Sequence, residues 1–305
     1  MQSSARRPSL SSVRQSRRQM ISAAASAVVW GAWNPQRALS ADAPAKRTVL
    51  IVASGADTLA LRNGTFSIGV FLNELAIPAM ELLKAGYALV LATPKGNKPT
   101  IDRRSVNEAY FAGKQALEEA ESFMEHHPAM QNPRSLPSLL EEGVDKYAGL
   151  FVPGGHGPVV DLIRDPSLGV ILRRFHELKK PTALLCHGPA ALISAMKSAP
   201  QFCEAMASRE TQQAKSLAEG WIYAGYRVTT FSAEEEASVE KNVFKDEAPI
   251  HTDTALVAAG ATVTRGEMPF QSHVVQDREL ITGQNPRSDQ ALASRLIEAL
   301  NKQRP

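Results

Sequence analysis

The sequence predicts an α/β protein whose mostly parallel sheet is covered on both faces. Three observations predict it. Short apolar runs rich in β-branched residues alternate with segments of helical spacing. The runs are apolar throughout, as strands buried on both faces are. Glycine or proline closes nearly every one. The chain has 305 residues, 44% of them hydrophobic, enough to bury a sizeable core.

Residues 47–54 (Arg-Thr-Val-Leu-Ile-Val-Ala-Ser) are the first predicted strand. Residues 69–85 carry Val70, Leu75, Met80 and Leu83 at helical spacing, and Gly86 stops the helix. Residues 87–93 are the second strand, ended by Pro94 and Gly96. Residues 102–145 break the alternation. They are polar, rich in Glu, Ala, Pro and Ser, and read as a helical insertion (about 105–145) packed on the core. A strand over 149–153 ends in a Gly-Gly-His-Gly loop, and 161–179 reads as helix. Residues 182–186 form another strand, and a helix starts at Pro189 and runs to Met196. A late strand covers 227–231, and 274–282 reads as a hairpin turning at Asp277 and Arg278. Residues 288–300 are the closing helix, capped by Ser288. With no repeat and no dividing linker, residues 44–305 are expected to form one domain.

Residues 1–43 read as a leader. Arg17 and Arg18 precede a modestly apolar stretch, and small residues follow up to Ala41 and Ala43. The paired arginines point to a twin-arginine-type signal peptide, hence to a periplasmic or otherwise exported protein. No long apolar run follows, so no membrane anchor is expected after cleavage. The leader also distorts the charge. Residues 1–41 hold six arginines and no acid; the other 28 basic side chains face 31 acidic ones, a net of −3. That balance, without any zinc-finger or helix-turn-helix pattern, argues against nucleic acid as a partner.

The sharpest local feature is Leu184-Leu185-Cys186-His187-Gly188-Pro189. A nucleophile between an apolar strand and a helix sits in a strained turn above the sheet edge, where open α/β sheets bind ligands. The helix N-terminus there should favour thiolate over thiol. A free cysteine is most often a small core residue; the apolar run and the adjacent His-Gly-Pro reverse that reading for Cys186. Cys203 has no such setting and reads as structural, and no bridge between the two is expected. In Val152-Pro153-Gly154-Gly155-His156-Gly157, two glycines after a strand let backbone amides approach a ligand and hold an oxyanion. His156 reads equally as a loop histidine packed on its neighbours. Glu74, on an otherwise apolar helical stretch, is either exposed or a buried functional acid, and the residues alone favour exposure. His126 and His127 face different sides of a helix and give no metal site. Glu234, Glu235 and Glu236 suit the first turn of a helix.

Six segments, in order, resemble the ThiJ/PfpI superfamily. They are most similar to its class I glutamine amidotransferase-like branch, which contains heat-shock chaperones and glyoxalase III enzymes. They are Gly69-Val-Phe-Leu-Asn-Glu-Leu-Ala-Ile-Pro78, the strand and loop from Ala85 to Asp102, and Phe151-Val-Pro-Gly-Gly-His-Gly157. The others are Leu185-Cys-His-Gly-Pro189, Val228-Thr-Thr-Phe-Ser-Ala-Glu-Glu-Glu236 and Leu280-Ile-Thr-Gly-Gln-Asn-Pro-Arg-Ser288. The resemblance implies a flavodoxin-like three-layer sandwich. It implies Cys186 as nucleophile, His187 as its base, and Glu74 hydrogen-bonded to the thiol as a proton shuttle, so the exposed reading of Glu74 gives way. It also implies an oxyanion hole from the Gly154-Gly155 loop and the His187 amide. An acid behind the histidine is implied too, for which Glu236 fits best and Glu235 next. The insertion has no clear counterpart in the branch and is expected to line the pocket.

The activity implied is a glutathione-independent glyoxalase, converting methylglyoxal to lactate, or a related small-molecule hydrolase. Its partner would be a small electrophile such as a 2-oxoaldehyde. No cofactor and no metal are expected, and a homodimer is an expectation from the family. The alternative is a stress-response holdase or a cysteine redox sensor without turnover, since an exposed, low-pKa cysteine oxidises readily.

Overall fold

The computed structural model describes residues 47–303. The leader, and the export it predicts, lie outside them. Among the described residues the central sheet has seven strands. They are β1 (Thr48–Val52), β2 (Ala88–Thr93), β3 (Arg134–Ser135), β4 (Tyr147–Val152), β5 (Thr182–Leu185), β6 (Val274–Asp277) and β7 (Leu280–Gly283). Their order is β6-β7-β5-β4-β1-β2-β3, parallel except for the β6–β7 hairpin. The main helices are α1 (Leu72–Lys84), α2 (Lys114–His126), α3 (Pro166–Glu177), α4 (Ala233–Val239) and α5 (Asp289–Lys302).

Side chains alternate across a strand, and β1 uses both faces. Val49 and Ile51 pack with Leu75 and Leu82 of α1 and with Leu292 and Leu296 of α5. Leu50 and Val52 pack on the other side with Leu168, Ile171 and Phe175 of α3. The result is the flavodoxin-like three-layer α/β arrangement. The chain leaves β1 for β2 on one side and returns to β4 on the other. That reversal opens a crevice at the carboxyl ends of β1, β4 and β5. No helix among the described residues is long and apolar enough to cross a membrane.

Four local expectations are corrected. The helix expected from Pro189 is a 3₁₀ segment, Gly188–Ala195; Ser194 turns its hydroxyl back to the Ala191 carbonyl at 2.7 Å and competes for that acceptor. The expected strand over 227–231 is only Arg227–Val228, paired with Thr262–Val263 outside the central sheet. Beyond it, Thr230 and Phe231 are engaged by Cys186 instead of a ladder. Ser288 stands at the N-cap position of α5 as expected, but its hydroxyl makes no capping bond, because it donates to the His273 carbonyl and accepts from the His273 N–H, both at 3.1 Å. The insertion is helices and turns, but it also supplies β3, a strand too short to show a period.

Candidate functional site

Cys186 is the residue after β5, with φ +59°. That left-handed conformation costs a non-glycine residue of the order of 1–3 kcal/mol and needs surroundings that fix it. They do. Its N–H donates to the Gly283 carbonyl at 2.9 Å, and its carbonyl accepts from Phe231 N (2.9 Å) and Thr230 Oγ1 (2.7 Å). The Thr-Thr-Phe segment therefore holds the turn in place. Thr230 was not singled out in the sequence; a threonine in an apolar run carries no signal of its partner.

Gly154 and Gly155 follow β4 and pass directly beside the thiol. A Cβ on Gly154 would lie 2.4 Å from Glu74 Oε2 and 2.6 Å from Cys186 Cβ. Gly155 has φ +82°, and a Cβ there would lie 2.1 Å from the Gly69 carbonyl. Replacing Gly154 by Ala is expected to destabilise the fold by about 1–3 kcal/mol through overpacking and to displace both Glu74 and Cys186. Guanidinium unfolding and turnover of the purified variant measure the two effects, and an unaffected rate would mean that this close approach is dispensable.

On one side of the sulfur, His187 Nδ1 lies 3.4 Å from Sγ. His187 Nε2 lies 2.7 Å from Glu236 Oε2. The second oxygen of Glu236 lies 3.0 Å from His156 Nε2. An ionised carboxylate only accepts hydrogen bonds, so both imidazoles carry their proton on Nε2. That leaves the lone pair of His187 Nδ1 facing the thiol. Glu236 enters from the first turn of α4, which opens with a capping box formed by Ser232 and Glu235. Glu235 points elsewhere: Oε1 accepts from Phe270 N, Gln284 Nε2 and Asn285 Nδ2. Of the two acids weighed in the sequence, Glu236 is the one behind the histidine. His156, left open as a loop histidine, is fully part of this cluster, its ring 4.1 Å from that of His187.

On the other side of the sulfur lies Glu74, with no exposed surface. Its Oε2 accepts from the Gly154 amide at 2.9 Å. Burial pushes its carboxyl up to about 8. Burial also pushes the Cys186 thiol well up, and the adjacent Glu74 adds to this. The sequence expectation of a depressed thiol pKa is thus corrected: the sulfur is buried, and the segment after it is not an α-helix with a full dipole. Burial pushes His156 down to about 4, with His187 next to it adding to the effect. Burial alone would raise Glu236, but the two histidines outweigh it and hold the carboxyl well below its usual range.

Residues 67–237 match the family described as ThiJ/PfpI family-like. The chain belongs to that family. It is 26% identical over 264 residues to the protein/nucleic acid deglycase HchA of Pseudomonas aeruginosa, with 83% of this chain and 82% of that one covered. It is 30% identical over 245 residues to the glutamine amidotransferase-like class 1 domain-containing protein 1 of Bos taurus, covering 80% and 90% of the two chains. Its fold is that of glyoxalase III from Candida albicans, with TM-score 0.62 and 22% identity over 83% of this chain and 97% of that one.

In this ThiJ/PfpI family-like protein the predicted residues Cys186, His187, Glu74, Glu236, Gly154 and Gly155 all converge on one place. A cavity of about 90 Å³ opens beside the sulfur, lined by Gly155, His156, Cys186 and His187 and walled by Phe71, Phe231 and Phe270. Tyr110, from the insertion, lines it too. His126 and His127 lie on another surface of the protein. Both cysteines are free thiols. His156, His187 and Glu236 bring ligand-type atoms within 4.8 Å of one another, but in this arrangement those atoms hydrogen-bond each other.

Proposed function

We propose that the protein is a cysteine-dependent enzyme of glyoxalase or deglycase type, acting on small reactive carbonyl compounds without glutathione. The observation that carries this reading is the placement of Cys186 between two proton carriers of opposite state. His187 presents a lone pair, and Glu74, with its carboxyl raised to about 8, presents a proton at neutral pH. His187 takes the thiol proton as sulfur attacks the aldehyde carbon of a 2-oxoaldehyde. Glu74 protonates the oxygen of the hemithioacetal. A proton then moves from the former aldehyde carbon to the former ketone carbon, through His187 or Glu74, giving a thioester. Water cleaves it to a 2-hydroxy acid and returns the thiol. The aldehyde carbon is oxidised and the ketone carbon reduced, so no outside oxidant is needed. The Gly155 amide faces the sulfur and suits the developing oxyanion.

The names of the relatives, a deglycase and a glyoxalase III, support the same substrate class. The size of the cavity and the net charge of −3 beyond residue 41 favour a free small carbonyl compound over nucleic acid. A buried thiol with a raised pKa counts against redox sensing as its main role. The test is methylglyoxal consumption and lactate formation without glutathione, beside Cys186→Ala. Turnover that vanishes in the variant is expected; turnover that survives it, or none at all in the wild type, overturns the proposal.

A further inference from the structure

The cavity beside Cys186 is apolar on most of its wall, yet two arginines line it, Arg104 and Arg287, and no Asp or Glu does. The two differ in what they have left to offer. Arg104 is engaged by Asp102, a buried acid that receives both Nε and Nη2. Its guanidinium plane lies over Phe66 at 5.1 Å and Phe244 at 5.6 Å. Arg104 is therefore a neutralised wall element. Arg287 is exposed, and among the described residues its guanidinium makes no hydrogen bond and no ion pair.

The backbone that carries Arg287 is fixed. Its own N–H donates to Asn285 Oδ1 at 3.1 Å. The Pro286 carbonyl accepts from Asn73 Nδ2 at 2.9 Å, and Asn73 is the neighbour of Glu74. Ser288 is tied to His273 on the other side. Asp289, the acid next along the chain, accepts from Asn73 Nδ2 at 2.8 Å and Gln290 N at 2.6 Å; Arg287 acts on its carboxyl without bonding to it, and burial raises that carboxyl to about 6. An unpartnered guanidinium on a rigid turn at the mouth of a small reactive cavity is a receptor for a planar anion. Tyr110 marks the shared space: burial raises its hydroxyl, and Cys186, Arg104 and Arg287 all lie near enough to act on it.

We propose that the substrate of this site carries a carboxylate, and that Arg287 receives it while the carbonyl carbon lies at Cys186. This rests on the proposed carbonyl chemistry and narrows it to 2-oxoaldehydes with a short acidic arm. The cavity of about 90 Å³ matches about three waters' share of liquid volume. That is room for the dicarbonyl, with the short acidic arm at the rim.

Two measurements test it, and they fail separately. The first needs no turnover: the rates at which iodoacetate and iodoacetamide alkylate Cys186, read by peptide mass, so that Cys203 does not interfere. The reagents differ chiefly in charge. The iodoacetate-to-iodoacetamide ratio is expected to fall about tenfold in Arg287→Gln, as one lost cation at short range predicts, and to be largely kept in Arg287→Lys. A ratio indifferent to Arg287, or a thiol closed to both reagents, overturns the proposal. The second compares 4,5-dioxopentanoate, whose product would be 2-hydroxyglutarate, with its uncharged methyl ester. The acid is expected to have about tenfold higher kcat/KM, mainly through KM, and Arg287→Gln to lose that advantage; equal rates for acid and ester overturn the proposal. Turnover of none of these compounds, with an Arg287-dependent alkylation ratio, would sink the glyoxalase reading and leave the anion site standing.

Discussion

Replacing Glu74 by Gln is expected to lower turnover of methylglyoxal by about 10²- to 10⁴-fold, the usual contribution of a positioned acid–base group. The same change is expected to make the protein more stable. Gln keeps an acceptor for the Gly154 amide and much of the volume, so packing is preserved; what changes is the ability to carry a proton. The stability gain follows from linkage. An unfolded Glu74 releases its proton near the ordinary value of 4.5, whereas the folded one keeps it up to about 8. Between those values only the folded state holds the proton, so stability falls as pH rises from 4.5 towards 8. At pH 7 the loss is on the order of 3 kcal/mol, and Gln, which cannot ionise, is free of it. Guanidinium unfolding at pH 5 and pH 8 reads the effect: the wild type should weaken across that interval by more than the variant does. A variant that loses activity and stability together would reduce Glu74 to a structural residue.

That trade is typical of a site built against the fold's own preference, and it explains what could be read from the sequence. The strands β1, β2, β4 and β5 were legible because residues buried on both faces leave unbroken apolar runs. Cys186 and His187 were legible because an apolar run stops abruptly at a nucleophile followed by His-Gly-Pro. Glu74 was not legible from its neighbours, since burial depends on α5 packing across α1, a contact between residues more than 200 positions apart. The choice between Glu235 and Glu236 depended on one residue of helical register, about 100° of rotation. That rotation is set by the Ser232 capping box. His156 was left open for a similar reason: nothing near it in sequence indicates that Glu236 has a second oxygen to share. The 3₁₀ segment after Cys186 is not legible from residues that include good helix formers, because Ser194 turns back to the Ala191 carbonyl and the segment passes close to Gly169, contacts the local sequence does not signal.

The shared carboxylate of Glu236 leads to the other large effect. Glu236→Gln is expected to lower kcat by about 10²- to 10⁴-fold, because the imidazolium formed when His187 takes the thiol proton would lose its counter-charge. His156 holds the opposite oxygen and has its own signature in pH. An unfolded histidine binds a proton near 6.5, but the folded His156 does so only near 4. Stability from this group is therefore present above 6.5 and is lost as pH falls towards 4, by an amount on the order of 3 kcal/mol. It opposes Glu74 over most of that range, so the contributions of these two groups offset one another between about pH 4.5 and 6.5. Each single variant then uncovers the other's slope. Relative to the wild type, His156→Asn should gain stability as pH falls from 6.5 towards 4, and Glu74→Gln should gain it as pH rises from 4.5 towards 8. Two carboxyls within one small site would thus be held in different protonation states by what surrounds them, Glu74 protonated and Glu236 ionised. Variants that both track the wild-type curve would show that the cluster does not hold those states.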